Sequence, residues 1–315
     1  MDSASSPAFA RHAEAVRQRL AASGLLRAGA GSVTWKINRE IVVVAGWGRA
    51  ILLQLAHPLV AAGVAEHSAF RGSPLATVQR LAGTIGAMLS MTFGDDEEMI
   101  VAAAGINVIH DRVFGKLHTA AGPFSEGTPY SAHQAELLRW VHVTLLDSLP
   151  LVYEHLVGPL TRAEKDRYCA EGATMEPLLG IPAGLLPRSI NDLESYTSGM
   201  LAGGAIAVSD NARRVARAVL SPPWSGVLWP AFRPMRLLTI GLLPAPVREA
   251  YGFRWGAREE RALRRWVFAL RIIRQVLPTP FREWPAARLK LTSRLSSLVA
   301  RHRAHQYRSG GRLDT

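Results

Sequence analysis

Apolar residues in this chain recur at intervals of three and four, and almost nowhere at intervals of two. That spacing gathers them on one stripe of a helix with 3.6 residues per turn, whereas a half-buried strand needs strict alternation. Proline and glycine clusters interrupt the stripes at helix length, where a backbone donor or a side chain is missing. The pattern predicts helices over about 8–28, 35–68, 74–93, 95–115, 132–156, 161–179, 189–202, 208–220, 246–251, 257–276 and 285–307. The second is expected to break near Pro58. The fourth starts at Asp95, with Asp96, Glu97 and Glu98 placing negative charge on its first turn. The expectation is an all-α protein with one large helical domain. An N-terminal helical extension (1–30) precedes the main body (31–256), and basic C-terminal helices (257–315) pack on or flank it.

Of 315 residues, 48% are apolar and 20% charged, which excludes a disordered chain because so much apolar surface must be buried. The single cysteine, Cys169, allows no internal disulfide. Without a Cys-x-x-Cys or Cys-x-x-Cys-His string, structural zinc, iron–sulfur clusters and covalently attached haem are excluded. The opening MDSASSPAFARHAEAV shows no basic stretch followed by an apolar run, so the expected compartment is the cytoplasm. Ile41–Ala65 is strongly apolar, but Arg49, Gln54 and His57 interrupt it, so a buried core helix is expected rather than a membrane span. The stretch 221–245 has five prolines, two tryptophans and two arginines and is expected as a loop covering the core, or as a membrane-facing one.

The net charge of +12 is uneven. Residues 1–190 hold 16 basic and 17 acidic side chains, and residues 191–315 hold 21 and 8. No helix-turn-helix or RNA-recognition string accompanies the charge, so no nucleic-acid partner is expected. A basic face in solvent, with peripheral contact to an anionic membrane, is the expectation. In 257–276, Leu263, Trp266, Val267 and Leu270 share one face while Arg258, Arg261, Arg265 and Arg274 lie largely elsewhere, as in a helix that covers a core.

IVVVAGWGRAILLQLA resembles part of a dinucleotide fingerprint: a strand-like Ile41–Ala45, then Gly46-x-Gly48, with Glu66 about twenty residues on. Ile51 occupies the third glycine position and no βαβ series follows, so that reading fails. Gly-x-Ser-x-Gly, His-Glu-x-x-His and Glu-x-x-His are all absent. What is left is a set of histidines in apolar surroundings: His57 before Pro58, His67 after Glu66, His110 in GINVIHDRVFG and His142 in LLRWVHVTLLDS. Each suits a satisfied core histidine. Each also meets the requirement for an axial haem ligand, a neutral imidazole sheltered by packing. Arg80 and Thr84 lie one turn apart on a helix face. They suit either a propionate and an oxygen-derived ligand, or solvent and the preceding turn.

Taken in order, GWGRAILLQLAHPLVAAGVAEHSAF (46–70), Arg80…Thr84 with Phe93–Gly94, NVIHDRVFG (107–115), Tyr130…LLRWVHVTLLDS (137–148) and GLLPAPVREAYGFRW (241–255) resemble the MpaB/rubber-oxygenase family. The resemblance implies a globin-like helical core around one b-type haem, and an oxygenase that cleaves carbon–carbon double bonds of isoprenoid chains with dioxygen. It makes His110 the proximal iron ligand and gives Arg80 and Thr84 to the polar side of the haem site. Glu66 falls where the family places its proton acceptor, expected to be buried with a raised pKa. His57 and His142 follow as second-choice haem ligands or pocket residues. Gly83 stands where rubber oxygenases carry a lysine beside the threonine, which leaves the sixth iron position and the substrate open. The expected function is a haem b-dependent oxygenase acting with dioxygen on a hydrophobic, isoprenoid or lipid-like substrate. The alternative is a non-catalytic haem- or lipid-binding protein at membrane surfaces.

Overall fold

A computed structural model describes residues 6–25, 27–67, 74–220 and 225–289, with the side chains of 74–82 and 225–232 left out. The chain begins with α1 (Pro7–Ser23), α2 (Val33–Asn38) and a 3-10 turn (Ile41–Val44), then α3 (Ala45–Leu55), α4 (Pro58–His67), α5 (Pro74–Phe93) and α6 (Asp96–His110). A hairpin of β1 (Phe114–Lys116) and β2 (Pro129–Ser131) leads into α7 (Ala135–Leu156), α8 (Arg162–Gly172), α9 (Met175–Leu179) and α10 (Ile190–Ala202). The remainder is α11 (Asp210–Leu220), α12 (Ser225–Gly241), α13 (Ala245–Ala250), α14 (Ala257–Val276) and α15 (Thr279–Arg282). The protein is all-α, with this one small sheet among the described residues.

The core is organised by α3 lying along α7. Trp140 of α7 is fully buried and its indole N–H donates to the Leu53 carbonyl. Gly46 makes this approach possible, and Gly48 a second one, to α12. A Cβ at Gly46 would stand 2.9 Å from the Ser148 carbonyl oxygen, and one at Gly48 would overlap the Thr239 hydroxyl of α12. These glycines serve helix packing rather than a phosphate loop, and Ile41–Val44, strand-like in sequence, is a 3-10 turn. Arg49, buried in the same helix, donates to Asp147 (2.6 Å), Ser148 (2.7 Å) and the Leu242 carbonyl (2.7 Å). One guanidinium thus ties α3 to α7 and to the segment after α12.

The run Ile41–His67 is bent by 107° between Leu55 and Pro58. Proline lacks the N–H that would continue α3, and it starts α4 at a position where that donor is not needed. No single helix among the described residues is long and apolar enough to cross a membrane. The Asp95 capping box is present as expected.

Five expectations are corrected. The helix expected over 35–68 breaks not only near Pro58 but also at Arg39–Glu40, where α2 gives way to the 3-10 turn. Residues 161–179 form two helices, split at Ala173–Thr174, rather than one. Residues 95–115 form a helix only to His110. Phe114 then pairs with Ser131, and the β-branched and aromatic pair Val113–Phe114 suits a strand as well as a helix. Ser225–Gly241 is helical despite Pro230 and Pro234. Each proline removes one backbone bond, but packing against α3 and α14 holds the segment helical. Residues 221–224 and the predicted helix beyond 289 lie outside the described residues. The fifth correction concerns Glu66 and is given below.

Candidate functional site

His57 stands at the bend, its amide donating to the Gln54 carbonyl in the last turn of α3. Its side chain is buried, 5.1 Å from the Phe124 ring, and its shielded Nδ1 has no hydrogen-bond partner among the described residues. Burial lowers its pKa to about 4, so the ring is neutral at pH 7.

His110 ends α6. Its Nδ1 is also shielded and unpartnered among the described residues. The His133 ring meets it edge-on at 5.8 Å. Its pKa falls to about 4, mainly by desolvation, with His133 adding to the effect and Asp111 opposing it. Asp111 is itself engaged elsewhere, with one carboxylate oxygen 2.8 Å from His12 Nε2 and the other 2.8 Å from His133 Nε2. α1, the end of α6 and the turn before α7 therefore converge on a carboxylate bridged by two imidazoles, with His110 beside it.

Glu66 lies on the last turn of α4, over the hairpin. Tyr130, buried in β2, donates to Oε2 at 2.5 Å, and His118 Nε2 lies 3.2 Å from Oε1. Burial, and then Glu66, raise the Tyr130 pKa well above the usual phenol range, so its hydroxyl remains a donor. The expected buried Glu66 is not found: on the last turn of α4 its side chain is 29% exposed. His67 Nε2 is 3.0 Å from the Phe114 carbonyl and 3.4 Å from the Tyr130 hydroxyl.

His142 is directed elsewhere, against Gly172 of α8, where burial lowers its pKa to about 4 and the Gly172 backbone partly offsets this. Thr84 is exposed on α5, and the side chain of Arg80 lies outside the described ones. A Cβ built at Gly83 meets nothing within 4 Å. A cavity of about 20 Å³, lined by Glu40, Trp47, Phe93 and Trp284 among others, holds at most a water and includes none of these candidates.

The structure thus groups Glu66 with His67, His118 and Tyr130, and His110 with His12, Asp111 and His133. The two groups share the segment from His110 to the hairpin, where Gly63 of α4 faces Val113 and Tyr130. The parts played by His12, His118, His133 and Tyr130 are not legible in the sequence. No spacing signals them, since each meets its partner only through tertiary contact.

Among the described residues no group of three or more His, Cys, Asp or Glu could hold a metal ion. Non-haem iron needs such a set, whereas haem iron asks the protein for one axial imidazole. An unpartnered, neutral His110 fits that demand, as does His57. An all-α scaffold with single sheltered imidazoles suits a cofactor held by one side chain. The family model described as ER-bound oxygenase mpaB/B'/Rubber oxygenase, catalytic domain, matches residues 35–272, and the chain belongs to this family. The match runs from α2 into α14 and supports an oxygenase role. No curated protein and no solved structure matches the chain.

Proposed function

We propose that this protein is a haem b-dependent oxygenase that acts with dioxygen on a hydrophobic, isoprenoid or lipid-like substrate. The observation that carries the reading is His110, a sheltered and uncharged imidazole whose Nδ1 has no partner among the described residues, within the stretch that the family model matches. Haem, when bound, supplies dioxygen activation. His110 would hold the iron, and the resemblance gives Arg80 and Thr84 to the polar side of the cofactor. Asp111 is engaged with His12 and His133, so its carboxylate does not compete for the His110 ring.

Glu66 handles protons. Its Oε2 is held by Tyr130, which leaves Oε1 as the accepting atom, and His118, 78% exposed, passes the proton to solvent. His57 and His142 are the alternatives that would hold the iron in place of His110.

The test is the absorption spectrum of the purified full chain after haem reconstitution. A Soret band that His110→Ala abolishes or reshapes is the expected result. An unchanged band in His110→Ala, lost instead in His57→Ala or His142→Ala, moves the ligand there. No Soret band under any condition overturns the proposal. Oxygen uptake on addition of a hydrophobic alkene separates the oxygenase from a protein that only binds haem.

A further inference from the structure

α14 meets the rest of the molecule on one side. Leu263 is buried, and Val267 and Leu270 pack with Val152, Leu156 and Leu238. Arg274 holds the buried Glu40 through two bonds of 2.8 and 2.5 Å, and Arg271 donates to the Glu154 and His155 carbonyls. The opposite side carries Arg261, Arg265, Phe268, Ile272 and Val276, all exposed and one turn apart. This stripe runs about 22 Å along the helix. Phe268 is 67% and Val276 76% exposed, and Phe281 of α15, also 67% exposed, follows closely in sequence. Arg258 and Arg264 widen the cationic end.

No carboxylate interrupts the stripe. Glu259 bonds the Gly256 amide and Glu260 the Trp255 indole, both away from this face. Arg258, Arg261 and Arg265 have no ion-pair partner among the described residues, whereas Arg264 lies 3.7 Å from Glu260. Single exposed apolar side chains are ordinary, but a continuous row with aromatic members beside a row of guanidinium groups is not.

We infer that this face of α14 docks on an anionic lipid surface. Headgroup phosphates meet the arginine end, and Phe268, Ile272, Val276 and Phe281 enter the boundary with the acyl chains. A second copy of the same face would bring no carboxylate to these arginines and would leave them uncompensated at an apolar contact. The excess of 21 basic over 8 acidic side chains in residues 191–315 adds long-range attraction to the same surface.

The full chain is sedimented with vesicles of phosphatidylcholine alone and of phosphatidylcholine with phosphatidylglycerol. Binding to the second only, weakened by salt, is expected. Phe268→Ser with Ile272→Ser, and separately Arg261→Glu with Arg265→Glu, should each lower it at least about tenfold. Thermal unfolding of both variants should match the parent, since the four side chains are exposed. Three results overturn the inference: no binding to anionic vesicles, binding that both variants retain, or a lipid-free dimer that Phe268→Ser with Ile272→Ser dissociates.

Discussion

The Tyr130 hydroxyl donates a 2.5 Å hydrogen bond to Glu66 Oε2, joining the end of α4 to a strand 64 residues further on. Tyr130 is itself positioned by close neighbours: a Cβ at Gly115 would stand 2.6 Å from its hydroxyl oxygen. Tyr130→Phe keeps the ring and removes the donor, and it should lower unfolding stability by about 1.5–3 kcal/mol, as for a bond to a charged acceptor. In urea unfolding, the double variant with Glu66→Gln should fall short of the summed single losses. Additive losses would show that the two groups are not coupled.

Gly48 and Gly83 should answer an added methyl in opposite directions. Gly48→Ala drives a Cβ into Thr239, buried between α3 and α12, and overpacking there should cost about 1–3 kcal/mol. Gly83→Ala meets open space on a helix and should gain about 0.5–1 kcal/mol from helix propensity. Calorimetric melting of the two variants checks this. A neutral Gly48→Ala would mean that α3 and α12 are not so closely packed.

Arg49 is 4% exposed and its partner Asp147 keeps a side-chain exposure of 30%. Arg49→Met removes three bonds and leaves Asp147 with access to water, so the loss should be about 2–4 kcal/mol, below that of a fully buried pair. Arg49→Lys should recover only part of it, because one ammonium does not reproduce the fork to Asp147, Ser148 and Leu242. Denaturant midpoints of the two variants give the comparison.

Glu164 caps α8 and its pKa is held down to about 2, chiefly by Lys36 at 2.6 Å and then by the Thr161 amide at 2.8 Å. A carboxylate depressed in the folded state stabilises fully above its unfolded pKa of about 4.5 and loses that contribution as pH falls toward 2. Melting temperature should therefore drop over this window, and the drop should be shallower in Glu164→Gln, which keeps the capping geometry. Equal slopes would show that other carboxylates dominate.

Much of the fold is legible from local pattern. The Asp95 start, the break at Pro58 and the amphipathic α14 follow from backbone chemistry and apolar spacing within a few residues. The helix 225–241 is not legible, because two prolines argue against it locally and only packing on α3 and α14 outweighs them. The end of α6 at His110 is hidden in the same way, since the chain turns into a hairpin whose partner strand is some fifteen residues away.

The candidate site divides along the same line. His57, His67, His110 and His142 stand out as histidines in apolar settings, and the resemblance to the family then points to His110 and Glu66. That Asp111 bridges His12 and His133, that Tyr130 holds Glu66, and that Glu66 is partly open to water are decided by elements distant in sequence. Helical periodicity is a property of a few neighbouring residues. Hydrogen-bond partnership and burial depend on which helices meet, and a single strand of letters does not contain that.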